Sequence, residues 1–288
     1  MIQPTSIAEQ LMYSTVRIIA QNGAAISRGT GFFYNFPLKE EGQVVPAIIT
    51  NRHVVQGSIS QNFLLHLHDP KKGEKAPSGT FNVNIQAGLG NGWTEHPDPN
   101  VDLCVLPIAQ IQNKVPAPHQ PFYVPLGGVP GDEELKKLDA VEQVLMIGYP
   151  NGLWDHVNNL PLIRRGVTAS HPGVDYQIEG QSGPGVTVID MACFPGSSGS
   201  PVFIYNQGTI PEKNGNVSLG TRAIFLGVLF SGPVWQQDGN ITVKNIPTKS
   251  VPVAEISTMI NLGYVIKPRE IVALGRHLYA KNGMVYPD

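Results

Sequence analysis

The chain has little charge. Asp, Glu, Lys and Arg make up 15% of its 288 residues and nearly cancel, for a net −2, where about 25% is usual in a domain. So few charges cannot hold a chain expanded by self-repulsion, and 41% hydrophobic residues can fill a large core. Disorder, coiled coil and arrays of long amphipathic helices are disfavoured on that ground. The near-neutral balance argues against a nucleic-acid-coating protein. The small basic clusters, Lys71, Lys72, Lys75 and Arg164, Arg165, read as solvated faces. Cysteine is scarce, at Cys104 and Cys193 only. No disulfide framework can be drawn, and a reducing compartment, the cytoplasm, is expected. Long apolar runs are missing, so no membrane-spanning helix is expected. The first residues, MIQPTSIAEQ, lack the basic start of a secretory signal.

Glycine (31) and proline (25) are plentiful instead. They punctuate many short apolar or alternating stretches, the pattern of strands joined by turns. Phe63, Leu65 and Leu67 alternate, as do Phe81, Val83 and Ile85. Further strands are expected at Ser14–Ala20, Gly31–Tyr34, Val44–Thr50, Leu103–Ile108, Gln143–Ile147, Leu162–Ser170, Val186–Met191, Pro201–Tyr205, Ala223–Phe230 and Ile241–Val243. About a dozen short strands with few helical patterns indicate an all-β barrel or sandwich. A proline-rich stretch, Gln110–Gly128, reads as an extended connector between two β-domains. Near the end, Val253, Ile256 and Ile260 have helical spacing after Pro252, with Gly263 as a stop. Ile271, Val272, Leu274 and Leu278 repeat that spacing after Pro268.

The segment most suggestive of chemistry is FPGSSGSPVF, Phe194 to Phe203. A serine nucleophile needs backbone N–H groups beside it to hold an oxyanion. Gly196, having no Cβ, lets the chain approach a substrate, and the N–H groups of Gly196 and Ser198 are candidates for that hole. The bland alternative is a Gly/Ser-rich hairpin turn. A second Gly-x-Ser-Gly, at Ser182, lies among polar residues and reads as a surface turn. A hydroxyl also needs a base. His53 ends the apolar strand AIITNRHVV and is therefore placed by a rigid element. His66 and His68 alternate beside Asp69 without a further ligand at metal spacing, so a polar strand face is the better reading. The base in turn needs an acid to orient it. Asp102 stands directly before the apolar strand LCVLPI, where an unpaired carboxylate is costly. A turn or strand cap is its alternative reading.

TNRH, DLCVL and GSSGSP occur in the order His, Asp, Ser, 49 and 96 residues apart. Together they resemble the chymotrypsin-like (trypsin-like) serine proteases. GTGFFY (Gly29–Tyr34) resembles the family's Gly-x-Gly-Phe strand, and IGYP (Ile147–Pro150) a strand end of its bacterial members. The likeness runs from about Tyr13 to Pro247. It implies an all-β fold of two six-stranded antiparallel barrels. Residues 1–115 would carry His53 and Asp102, and residues 116–250 would carry Ser198 and the specificity pocket. Residues 251–288 are expected to be a helical extension. The family's catalytic set falls on His53, Asp102 and Ser198, its oxyanion hole on Gly196 and Ser198, and its substrate-binding residues on Ala192, Phe230, Ser231 and Gly232. Ala192, six residues before the serine, is neutral, so cleavage after Lys or Arg is not favoured. Lys244 or Asn245 would approach the pocket if its strand aligned. Cys193 reads as part of the pocket wall.

Three departures stand out. No Ile-Val-Gly-Gly start is present, and Ser197 occupies the place of the Asp that pairs with a newly released N-terminus. Activation through that ion pair is not expected. No disulfides are expected, and no peptide-binding PDZ module is expected after Pro247. The expected activity is that of a serine endopeptidase on a protein or peptide substrate, with no metal or other cofactor, and no nucleic acid or membrane as partner. Restraint would come from narrow specificity, a dedicated partner protein or an oxyanion loop unformed at rest. A silent peptide-binding module of the same fold and an esterase are the alternatives.

Overall fold

The computed structural model describes residues 2–74, 76–86, 92–239 and 254–287. The first half is one antiparallel sheet of β1 (Thr15–Asn22), β2 (Ala25–Pro37), β3 (Val44–Thr50), β4 (Ser60–His68), β5 (Gly79–Gln86), β6 (Thr94–Glu95), β7 (Cys104–Pro107) and β8 (Gln120–Phe122). Their order is β5-β4-β1-β2-β3-β7-β6, with β8 added to β4. Eight strands pair where the family pattern leads one to expect six. The two extra ones, β6 and β8, are only two and three residues long.

The second half contains β9 (Gln143–Gly148), β10 (Leu162–Thr168), β11 (Val186–Asp190), β12 (Pro201–Pro211) and β13 (Val217–Ser231). A two-stranded ribbon of β14 (Val234–Gly239) and β15 (Ala254–Met259) follows, then β16 (Leu262–Ile266). Six of these close the expected barrel, in the order β10-β11-β16-β13-β12-β9. Among the described residues five α-helices accompany the strands: α1 (Ile7–Met12), α2 (Arg52–Val55), α3 (Ala109–Gln112), α4 (Asp132–Leu135) and α5 (Arg269–Lys281). None is long and apolar enough to cross a membrane.

Several expectations are corrected. The spacing of Ile256 and Ile260 does not produce a helix. Residues 254–259 pair with β14 in a continuous antiparallel register. Three apolar positions do not separate a 3.6 period from a 2 period, and β-branched Ile256 and Thr258 suit a strand. Gly263 therefore ends no helix but lies within β16, paired with Ile189. The barrel thus draws a strand from residues 251–288, which are not a helical extension throughout; only α5 is helical there. Likewise β8 lies beyond residue 115 yet pairs with β4. Within the connector, Leu126 exchanges backbone hydrogen bonds with Phe33 (2.8 Å) and Asn35 (2.9 Å) of β2. Pro252, Val253, Ile241–Val243, Lys244 and Asn245 lie outside the described residues.

One apolar cluster joins the two halves. Phe32, Tyr34 and Phe36 of β2 meet Ile147 of β9, Phe203 of β12 and Phe225 of β13. Ile271, Leu274, Leu278 and Tyr279 of α5 are buried against the same cluster. Their i, i+3, i+7, i+8 spacing forms one apolar stripe. Each side chain of this size contributes ~1.5–3 kcal/mol when fully buried, so the halves are locked in register by their largest residues. A polar strap adds to this. Residues 149–161 leave β9 and run over the first sheet. There Asn159 O accepts from His66 Nε2 (3.0 Å) and Asn159 Nδ2 donates to Leu64 O (3.1 Å). The Arg17 guanidinium lies 3.7 Å from the centre of the Trp154 ring, a cation–π contact.

Candidate active site

His53 sits in α2, a single turn that follows β3 directly. Asn51 is the N-cap, but its side chain caps nothing. Its Nδ2 instead donates to the Asp102 carbonyl at 2.8 Å. The Asp102 carboxylate does the capping: Oδ1 accepts from the His53 backbone N–H at 3.0 Å, and Oδ2 pairs with the His53 Nδ1. Both carboxylate oxygens thus hold one histidine. This resolves the cost of placing Asp102 at the mouth of β7, since a carboxylate with charge-assisted partners tolerates partial burial. With Nδ1–H given to Asp102, Nε2 is left as the acceptor on the ring's exposed side.

Ser198 lies in the loop between β11 and β12. Its Oγ hydrogen-bonds the Phe230 carbonyl at 3.4 Å. Among the described residues no hydrogen bond links Ser198 to His53. Around it the loop is fixed by a set of bonds that includes Ser197 N–H to Phe194 O (3.0 Å) and Gly199 N–H to Leu229 O (2.8 Å). Thr30 N–H donates to Ser198 O (2.8 Å), and Thr30 Oγ1 donates to Gly196 O (3.1 Å). Asn151 N–H donates to Pro195 O (2.6 Å), and Ser200 N–H to Ser197 O (3.0 Å). Neither the Gly196 N–H nor the Ser198 N–H is given to another described residue. Gly196 and Gly199 have φ of +88° and +85°, where an L side chain is strained. At Gly199 a Cβ would also run into the Thr30 carbonyl. Ser197 is buried and its Oγ has no partner among the described residues.

Ala192 is half-buried, and its carbonyl accepts from Arg164 Nη1 at 2.6 Å. The same guanidinium lies 4.7 Å from the centre of the Phe194 ring. Phe230 is half-buried beside Tyr264, Ser231 is the last residue of β13, and Gly232 follows it. Burial pushes the Cys193 thiol up to about 11, and burial raises the Cys104 thiol as well. Neither is therefore a thiolate near neutrality, in keeping with Cys193 as wall rather than nucleophile. Ser182, read as a surface turn, is exposed, but its turn borders a small cleft shared with Asn100, Asp102, Gln177 and Phe230. His66 is buried within the strap contact rather than on a polar face. Among the described residues no cluster of three His, Cys, Asp or Glu side chains is arranged to hold a metal.

Sequence reasoning missed Thr30, Asn151 and Arg164. Thr30 stands inside GTGFFY and Asn151 directly after IGYP, so both motifs were visible. Nothing in the strand pattern marked a hydroxyl or an N–H within them as reaching residues 195–198.

Two antiparallel β-units, with a His–Asp pair from one and a serine loop from the other, define a chymotrypsin-like arrangement. The model of the trypsin-like peptidase domain matches residues 29–210, a span that includes His53, Asp102 and Ser198. The chain belongs to that peptidase family. No curated protein matches it. Among solved structures it is similar to the Rv3671c protease of M. tuberculosis in its inactive form, at 16% identity over 93% of this chain and 89% of that one, with a TM-score of 0.44. It is also similar to Deg5, at 19% identity over 77% and 81%, with a TM-score of 0.45. The protease domain of MamO from Magnetospirillum magneticum is a third, at 11% identity over 93% and 98%, with a TM-score of 0.45.

Proposed function

We propose that the chain is a serine endopeptidase that carries out limited processing of a protein partner through His53, Asp102 and Ser198. His53 Nε2 takes the Ser198 proton as Oγ attacks the substrate carbonyl carbon. The N–H groups of Gly196 and Ser198 hold the oxyanion, and Asp102, still ionised, steadies the imidazolium. His53 then returns the proton to the leaving amine as the C–N bond breaks, which leaves an acyl-enzyme on Ser198. Water, deprotonated by His53, attacks the ester and releases the acid and the serine. Before attack the Ser198 hydroxyl must rotate from the Phe230 carbonyl toward His53, a tightening common when substrate binds.

The observation that carries this reading is the double hold of Asp102 on His53. A silent binding module has no need to fix one ring tautomer. Neutral Ala192 supports a small or apolar residue before the scissile bond. The two buried free thiols fit a reducing compartment such as the cytoplasm. A fluorophosphonate probe is expected to label the wild type and not Ser198→Ala, whose kcat falls by about a millionfold, as for a comparable nucleophile. Labelling that persists in Ser198→Ala sinks the proposal. Mapping new N-termini across a proteome separates an endopeptidase from an esterase, and fragments ending mainly in Lys or Arg would overturn the preference.

A further inference from the structure

The two candidate oxyanion donors are free because the opposite end of each of their peptides is occupied. A peptide is planar, so holding its carbonyl aims its N–H the other way. The Pro195–Gly196 peptide is held at Pro195 O by Asn151 N–H, and the Ser197–Ser198 peptide at Ser197 O by Ser200 N–H. Between them lies the Gly196–Ser197 peptide, hinged on a glycine that can rotate at little cost. Its N–H is given to Phe194 O within the same loop (3.0 Å), and its carbonyl is held by one side chain, Thr30, which comes from the other half of the molecule.

Thr30 is wholly buried, and both capacities of its hydroxyl are used. It donates to Gly196 O at 3.1 Å and accepts from Tyr149 N–H at 3.1 Å. Tyr149 directly precedes the turn that carries Asn151, which itself sits at φ +51°. One hydroxyl therefore ties β2 to both the loop that bears Ser198 and the turn that fixes Pro195. The Thr30 backbone N–H adds a bond to Ser198 O at 2.8 Å.

We propose that Thr30 is a positioning residue for the oxyanion hole, its hydroxyl fixing Gly196 so that the Gly196 and Ser198 N–H groups stand ready without an activation cleavage. This rests on the serine-protease reading above. Without the hydroxyl, only the turn bond from Ser197 N–H to Phe194 O still restrains the Gly196–Ser197 peptide, so Gly196 gains freedom to rotate and the Pro195–Gly196 peptide can turn its N–H away from the hole.

Thr30→Val preserves volume and removes the bond. Its kcat is expected to fall by ~10–100-fold, less than the ~100–1,000-fold typical of losing a hole donor outright, with KM little changed. Affinity for a peptide boronate, which forms a tetrahedral adduct on Ser198, falls in step with kcat/KM. Thr30→Ser recovers most of both. A merely structural role would lower Tm without separating kcat from KM. A folded Thr30→Val with wild-type kcat and boronate affinity overturns the proposal. If Thr30→Val does not fold, Thr30→Cys, a weaker donor of similar size, is read in the same way. An independent readout needs no activity. In a Ser198→Ala background, Thr30→Val or Thr30→Cys is expected to speed amide exchange at Asn151 and Ser197 at least tenfold relative to β9, and unaltered exchange refutes the idea. Failure of the underlying reading shows separately, as a wild type that the fluorophosphonate does not label at Ser198.

Discussion

Lowering the pH from 7 to 5 is expected to remove about 2 kcal/mol of stability through His66 alone. The residue is 6% exposed, and burial pushes its pKa down from 6.5 to about 4. Among the described residues the ring's one hydrogen bond is the Nε2–H donated to Asn159 O, and Nδ1 is buried without a partner. The sign follows from the direction of the shift. The folded chain keeps His66 neutral, whereas the unfolded chain protonates it below 6.5, so the unfolded state binds more protons between pH 6.5 and 4. Stability is complete above 6.5 and is lost as the pH falls toward 4. At 1.36 kcal/mol per unit, the loss is about 2 kcal/mol by pH 5 and about 3 kcal/mol by pH 4. His66→Gln retains a donor for Asn159 O and cannot titrate there. Thermal unfolding of both proteins at pH 7, 6 and 5 is the assay. All other groups titrate in both and cancel in the difference. The wild type is expected to lose ~4–8 °C more than His66→Gln between pH 7 and 5, at roughly 2–4 °C per kcal/mol. Parallel Tm-versus-pH curves would refute the reasoning.

Three further outcomes are expected. Asp102→Asn should keep the fold but lower kcat by about ten-thousandfold, because an amide presents the wrong partner to the His53 ring; a loss under tenfold would mean that Asp102 does not orient His53. Gly199→Ala should destabilise by ~2–5 kcal/mol, combining strain at φ +85° with a Cβ that meets the Thr30 carbonyl, and denaturant unfolding will show it. Leu274→Ala should cost ~2–5 kcal/mol through the cavity it opens between α5 and the joint core, while a ΔΔG below 1 kcal/mol would mean that α5 is not anchored there.

Most strands were legible because each is short and bounded by turn residues, and burial on both sides left continuous apolar runs such as Ala47–Thr50. His53 and Asp102 could be picked out because a titratable group at the end of an apolar strand is costly without a reason. The eight-stranded extent of the first sheet was not legible, since β6 and β8 are too short to show a period. Nor was β15, whose apolar spacing fits a helix equally well until its partner strand is known. Thr30 was hidden for a different reason. Its contacts lie 119 residues away at Tyr149 and 166 away at Gly196, and a threonine in a strand needs no further explanation from propensity.

The candidate site is thus divided between the two halves in a way that makes their packing a chemical variable. The first sheet supplies His53, Asp102 and the Thr30 hydroxyl; the second barrel supplies Ser198, Gly196 and Asn151. A displacement of ~1 Å between reacting groups can cost about a hundredfold in rate, so the interface has to be stiffer than an ordinary contact between domains. Phe32 and Phe203, both packed against Phe225 with ring centres 5.8 and 5.6 Å away, meet that demand in the core. The strap of residues 149–161 meets it at the surface, and it begins at the turn that fixes the Pro195 carbonyl. Slippage of the strap from the first sheet would reach the oxyanion loop through Asn151 before it reached His53. Protonation of His66 at Nδ1 keeps the Nε2–H bond to Asn159 O but buries a charge beneath the strap, so between pH 7 and 5 amide exchange at Asn151 is expected to quicken more in the wild type than in His66→Gln, and equal changes in both would refute this coupling.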